Sequence, residues 1–230
     1  MAISDIKITS PNHSQLKFLR PLVSTVLEIV DQTYIRNTKI PCWLLPTSGK
    51  EIAMTPLYYH AAFEAYSNKT VSYIPSAEIQ IPRGISKGRL DLALVGREHI
   101  ELIELKASRV SLFGSTATIL NKISEKQYAA KDQLAEIDHT KINESTDLIT
   151  EDLTIVTLFL LAPEEKAKNR FKVENRIKEI MSNIKEDFPY ALRASLLYSK
   201  MHQINLDSSQ EKGEQSVGMI VVASRAIDIK

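Results

Sequence analysis

The chain has 230 residues, 43% of them hydrophobic and 25% charged, and a formal net charge of +1. That length holds one good-sized core, and the composition is that of a globular protein, not a disordered, collagenous or disulfide-stapled one. The single cysteine, Cys42, excludes an internal disulfide and a cysteine-based zinc cluster, while the near-neutral charge does not by itself announce a nucleic-acid binder. No apolar run reaches the roughly 18 residues a membrane span needs. The N-terminal segment lacks a charged start followed by an apolar stretch, so a cytoplasmic protein with no membrane contact is expected.

In chain order, Arg20-Pro21 opens a helix that runs to about Tyr34, with Leu22, Val26, Leu27 and Val30 on one side. Residues Asn37 to Lys50, with Pro41, Pro46 and Gly49, read as a linker. Thr55 followed by Pro56 reads as an N-cap and first helical residue of a helix to Ser67, which carries His60 and Glu64 one turn apart. Ala77-Glu78-Ile79-Gln80-Ile81 alternates and predicts a strand. Pro82 to Gly88 then reads as a flexible basic loop.

Two apolar runs follow, Arg89-Leu90-Asp91-Leu92-Ala93-Leu94-Val95 and Ile100-Glu101-Leu102-Ile103-Glu104-Leu105-Lys106, joined by Gly96-Arg97-Glu98-His99. A short Gly-containing link between two such runs predicts a β-hairpin. Facing residues in an antiparallel pair have a constant sum. Symmetric closure therefore pairs Val95 with Ile100, Ala93 with Leu102 and Asp91 with Glu104. Alternation places these pairs and Lys106 on one face, with Leu90, Leu92, Leu94, Ile103 and Leu105 on the other. With both faces apolar, these are central strands covered on both sides. Two carboxylates and an ammonium thus meet on an apolar sheet, where burial is costly unless a partner or metal ion compensates. Hard cations such as Mg²⁺ take oxygen ligands and keep several waters. A bound ion would polarise a phosphate and lower the pKa of a water, with Lys106 orienting that water or stabilising developing charge. The tripeptide alone says little, because an acid two residues before a lysine recurs at Asp5-Ile6-Lys7, Glu164-Glu165-Lys166 and Asp228-Ile229-Lys230. Strand context and the facing acid set Glu104-Leu105-Lys106 apart. The plain alternative is a structural acid–lysine pair at a strand end.

Asp91 and Glu104-Leu105-Lys106, with the Gly88-Arg89-Leu90-Asp91 lead-in, resemble the PD-(D/E)xK nuclease superfamily over roughly residues 56 to 161. The chain departs from the motif at Leu90, where the family's name has proline. The resemblance implies an α/β fold with a restriction-endonuclease-like core of helix, three strands, helix and strand. Its mixed central sheet would be flanked by helices, with residues 1–55 and 162–230 as extensions of one domain. It further implies Mg²⁺, with Mn²⁺ as substitute, held by Asp91 and Glu104 and by an acid from the preceding helix, for which Glu64 is the match and Glu78 the weaker candidate. It also implies a glutamine or lysine from the following helix near the site. Gln127 fits best, with Gln133 and Lys131 nearby.

The rest of the chain agrees with that order of elements. A loop through Gly114-Ser115-Thr116 leads into a helix from about Lys122 to Ile137, with Ser124 as a candidate cap. Leu153 to Leu161 is a nearly continuous apolar run that predicts a buried strand. Glu164 to Glu186 has the apolar spacing of an amphipathic helix, and Ala191 to Leu206 and Val217 to Ile227 read as strands around a polar loop. These additions could extend the sheet, form a homodimer surface or bind DNA. Between Arg83 and Lys131 there are nine basic residues against five acids. Arg83, Lys87, Arg89, Arg109 and Lys131 would form a basic rim around an acidic centre, suited to a phosphate backbone. The five histidines lack metal-ligand spacing, and there is no phosphate-cradling Gly-rich loop. The expected function is metal-dependent hydrolysis of phosphodiesters, with DNA as the nucleic-acid partner. The alternative is a catalytically inactive module of the same fold that binds nucleic acid or protein.

Overall fold

The computed structural model describes residues 5–9, 15–36, 54–66, 73–83, 86–203 and 214–229. In order these form β1 (Asp5–Thr9), α1 (Leu19–Arg36), α2 (Met54–Tyr66), β2 (Ile74–Arg83), β3 (Ser86–Val95), β4 (His99–Ser111), α3 (Thr116–Ala135), α4 (His139–Ser145), β5 (Ile149–Pro163), α5 (Glu164–Ala167), α6 (Arg170–Asp187), β6 (Leu192–Gln203) and β7 (Glu214–Arg225). The strands make one seven-stranded sheet in the order β1-β6-β7-β5-β4-β3-β2. Every neighbouring pair is antiparallel except β4 and β5. A parallel pair needs a crossover rather than a hairpin, and α3 and α4 supply it.

Burial sorts the sheet into two faces. One is covered by α1 and α2, whose Val26, Leu27, Tyr58 and Ala61 pack with Leu92, Leu94, Ile103, Leu105 and Phe159. The Tyr58 hydroxyl and Thr157 Oγ1 share a buried hydrogen bond of 2.7 Å across this layer. The other is covered by α3 and α6, where Ile119, Ile123, Ile177 and Ile180 meet Val156, Leu158, Ile220 and Val222. A smaller cluster beside it joins Ile81, Ala93, Leu102, Leu134, Ile137 and Ala226. Both faces of β4 and β5 are therefore covered, which explains their near-continuous apolar sequence.

Several boundaries differ from the sequence reading. The α2 helix begins at Met54 and buries Thr55, so Thr55 is not its cap. The α3 helix begins at Thr116 with Ser115 as N-cap, whose side chain accepts from Thr118 N–H; Ser124 lies inside the helix. The Glu164–Glu186 segment breaks into α5 and α6, because Asn169 caps a new helix through Lys172 N–H. The expected loop after the first strand is largely strand: β2 reaches Arg83 and β3 begins at Ser86, with Arg83 paired to Ser86. Leu90 packs with Ile81 and Ala93 rather than with Leu92 and Leu94, since the β2–β3 ladder is interrupted opposite Glu78. Strand β1 and helix α4 were not anticipated, and β1 extends the sheet beside β6. The expected linker at 37–50, with Cys42, and most of the expected 207–214 loop lie outside the described residues. Among the described residues no helix is long and apolar enough to cross a membrane.

Candidate active site

The β3–β4 hairpin forms in the register its sequence predicts. Val95 pairs with Ile100, Ala93 with Leu102 and Leu92 with Ile103. The backbone pairing stops at Leu92 and Ile103, one step short of the expected Asp91–Glu104 pair. The Asp91 carboxylate takes over: its Oδ2 accepts the Leu105 N–H at 2.8 Å. A charged acceptor makes a stronger bond to a peptide N–H than a carbonyl does, and here it pins Asp91 at the fork where β3 leaves β4.

Glu104 is only 3% exposed. Lys106 Nζ donates to its Oε1 at 3.1 Å, and the Arg83 guanidinium lies 3.8 Å from its Oε2. Oε2 is buried and accepts no hydrogen bond. Burial pushes the Glu104 carboxyl up to about 7, and the nearby Asp91 carboxylate adds to this, while Lys106 and Arg83 pull it back down. Asp91, Glu104, Lys106 and Arg83 are thus brought together. Arg83 also donates to the Arg89 carbonyl at 2.9 Å and faces Glu136 at 3.5 Å. Its side chain lies across Gly88: a Cβ there would sit 2.0 Å from Arg83 Cδ. Glycine at 88 is what lets the guanidinium reach the carboxylate.

Register reveals a wider pattern. Glu104 pairs with Thr154 on β5, and Thr154 with Ser224 on β7. On the other side, Ala77 pairs with Leu92 and Ile79 with Leu90, and Glu78 and Asp91 fall in the gap between these pairs. Glu104, Thr154 and Ser224 therefore form one row of polar residues across three adjacent strands, and Asp91 and Glu78 lie where the pairing of β3 lapses beside it. Thr154 and Ser224 are buried. Gln127, fully buried on α3, closes the far end by donating from Nε2 to Ser224 Oγ at 2.7 Å, and its Oε1 is left without a partner. Among the described residues Glu78 is the one non-glycine with positive φ, at 55°. A left-handed conformation in a strand carries strain of about 1–2 kcal/mol, and it falls in the gap that also holds Asp91.

Other expected site residues lie elsewhere. Glu64 is half exposed on α2 and pairs with His60 at 3.1 Å. Since α2 packs on the Leu92, Ile103 and Leu105 face, Glu64 is separated from Asp91 and Glu104 by the sheet, and helix position alone could not reveal the face. Arg109 pairs in register with Phe159, which packs on the α1–α2 face, so alternation sets Arg109 on the side away from Glu104 and Lys106. Lys131 donates to the Ile229 carbonyl at 2.5 Å and ties α3 to the C-terminal segment. Arg89 is largely exposed and pairs with Glu78 at 2.5 Å. The Lys87 side chain lies outside the described part of the structure. Thr154 and Ser224 escaped the sequence reading because their neighbours are set by a parallel crossover and a distant strand, which no local pattern encodes.

Among the described residues no three of histidine, cysteine, aspartate and glutamate converge as a metal cluster. Two adjacent carboxylates, one with an unbonded buried oxygen, still fit the way Mg²⁺ is usually bound, through one or two carboxylates with waters and substrate phosphates completing the shell. Comparison with protein families, with curated proteins and with solved structures gives no match to this chain.

Proposed function

We propose that this chain is a metal-dependent nuclease with a restriction-endonuclease-like core of the PD-(D/E)xK kind, hydrolysing phosphodiester bonds in DNA. The observation that carries the reading is the state of Glu104: almost wholly buried, beside a second carboxylate, bonded to Lys106 through one oxygen and unbonded at the other. A buried carboxylate oxygen that accepts no hydrogen bond is costly in a purely structural pair, even with a guanidinium nearby. The order α2, β2, β3, β4, α3, β5 also agrees with the expected core.

In this reading Asp91 and Glu104 would hold Mg²⁺ or Mn²⁺. The ion supplies Lewis acidity at the phosphate and a more acidic bound water. Lys106 Nζ, anchored on Glu104, stands where it can orient the attacking water or stabilise charge on the phosphate. Arg83, held between Glu104, Glu136 and the Arg89 carbonyl, is placed to exchange its contact with Glu104 for one with a phosphate. The test is cleavage of plasmid and linear DNA with Mg²⁺ or Mn²⁺. Asp91→Ala, Glu104→Ala and Lys106→Ala should each abolish it, and robust cleavage by the Glu104→Ala protein would refute the assignment. A second reading, an inactive nucleic-acid-binding module, is favoured by the Arg83 guanidinium already facing Glu104; tight DNA binding with no cleavage under any divalent metal would select it.

A further inference from the structure

At the end of the sheet where β4 and β5 begin lies a cavity of about 630 Å³ that the proposed nuclease chemistry does not use. Glu101, Glu151 and Asp152 contribute acids to it, Phe18 and Tyr73 rings, and Ile149 and Ile227 apolar wall. Glu101 is 3% exposed, and its Oε2 is buried without a hydrogen-bond partner. It forms no ion pair among the described residues. Its register partner across the parallel ladder is another acid, Glu151. The guanidinium that enters the cavity, Arg225, is engaged by Asp228 through two bonds of 2.8 and 2.9 Å and reaches Glu151 at 3.6 Å. Asp152 faces His139 at 3.0 Å and leaves its Oδ1 buried and unbonded. Glu101 and its register partner Glu151 thus share one sheet face at the cavity, with Glu101 keeping an unsatisfied oxygen, and the basic groups beside them are Arg225, His99 and His139.

We propose that this cavity is a binding site for an organic cation, an alkylguanidinium or alkylammonium group, held by Glu101 and Glu151 against the rings of Phe18 and Tyr73. The walls decide the class of ligand. A hard metal ion wants about six oxygen or water contacts in a polar shell, whereas this cavity is walled in part by Phe18, Tyr73, Ile149 and Ile227. The rings of Phe18 and Tyr73 stand 5.7 Å apart at 31°, and with the aliphatic wall they suit a cation on an apolar stem, whose charge is attracted to ring faces. The entering cation would give Oε2 of Glu101 the donor it lacks. Burial, with Glu151 adding, pushes the Glu101 carboxyl up to about 8, so binding near neutral pH is expected to release a proton.

The test is titration of the full chain with butylguanidinium and butylammonium chlorides, with MnCl₂ as the contrasting probe, followed calorimetrically in two buffers of different ionisation heat. Saturable binding of an organic cation with proton release is expected, weakened about tenfold or more by Glu101→Gln and by Glu151→Gln and retained by Glu104→Ala. Thermal unfolding of each variant verifies the fold, and Glu151→Gln carries the test if Glu101→Gln fails to fold. Absence of saturable binding by either organic cation, affinity unchanged in the folded glutamine variants, or Mn²⁺ binding that depends on Glu101 would each overturn the proposal.

Discussion

Glu101 and Glu104 are three residues apart on one strand, equally buried, and on opposite faces of the same sheet. Their surroundings differ in one respect. Glu104 has Lys106 and Arg83 beside it, which offset part of the effect of burial and of Asp91. Glu101 has Glu151 as its register partner and, among the described residues, no ion pair, and its carboxyl is pushed higher. Burial alone therefore does not distinguish the proposed catalytic acid from the proposed binding acid. What distinguishes them is whether the chain supplies its own counter-charge or leaves it for a ligand.

The largest expected effect breaks the pair apart functionally. Glu104→Ala should lower the cleavage rate by about 10²-fold or more, the scale of losing a preorganised charge at a reacting phosphate. Glu101→Gln should leave it within about twofold, since Glu101 lies on the other face. Single-turnover rates on a labelled duplex check both.

Next comes the pH dependence of stability. Both carboxyls titrate above their ordinary value in the folded chain, so the folded state binds more protons than the unfolded state between about 4.5 and 8. The stabilisation from their protonated forms is fully present below about 4.5 and is lost as pH rises through 7 for Glu104 and 8 for Glu101. The decline is larger for Glu101, whose carboxyl is pushed further. Glu104→Gln should flatten the lower part of the decline and Glu101→Gln the upper part, measured by urea unfolding at successive pH values. A profile that climbs toward pH 8 in the unmodified protein would contradict both.

Two smaller substitutions sharpen the comparison of faces. Tyr58→Phe removes the hydroxyl that bonds Thr157 on the Glu101 face and should cost about 1 kcal/mol without altering cleavage. Glu78→Gly relieves the left-handed residue beside Asp91. It should leave stability unchanged or raise it by less than about 1 kcal/mol while lowering activity, the signature of strain kept for function. Calorimetric unfolding beside the cleavage assay separates the two.

Much of this was legible in the chain because it is local. The hairpin register of Val95 with Ile100 and Ala93 with Leu102 follows from loop length and period-two alternation, and the apolar runs of β4 and β5 announce strands covered on both sides. The face of α2 was not legible, since its sequence is apolar around much of the helix and buries residues from Met54 to Tyr66. Helix position alone therefore does not show that the sheet separates Glu64 from Asp91 and Glu104. The α3 start was misplaced because Ser115 and Ser124 are equally good caps by residue type, and only the contact to Thr118 N–H distinguishes them. Neither the polar row through Thr154 and Ser224 nor the pairing of Glu101 with Glu151 could be read, because both depend on which distant strands lie side by side.

The most direct measurement is a crystal structure of the protein soaked in MnCl₂, with the manganese located by its anomalous signal. The account predicts an ion bridging Asp91 and Glu104 on the α3 face, beside Lys106, and none at Glu101. Manganese at Glu101 and Glu151 with none at Glu104, or Asp91 and Glu104 turned apart with no ion between them, would contradict it.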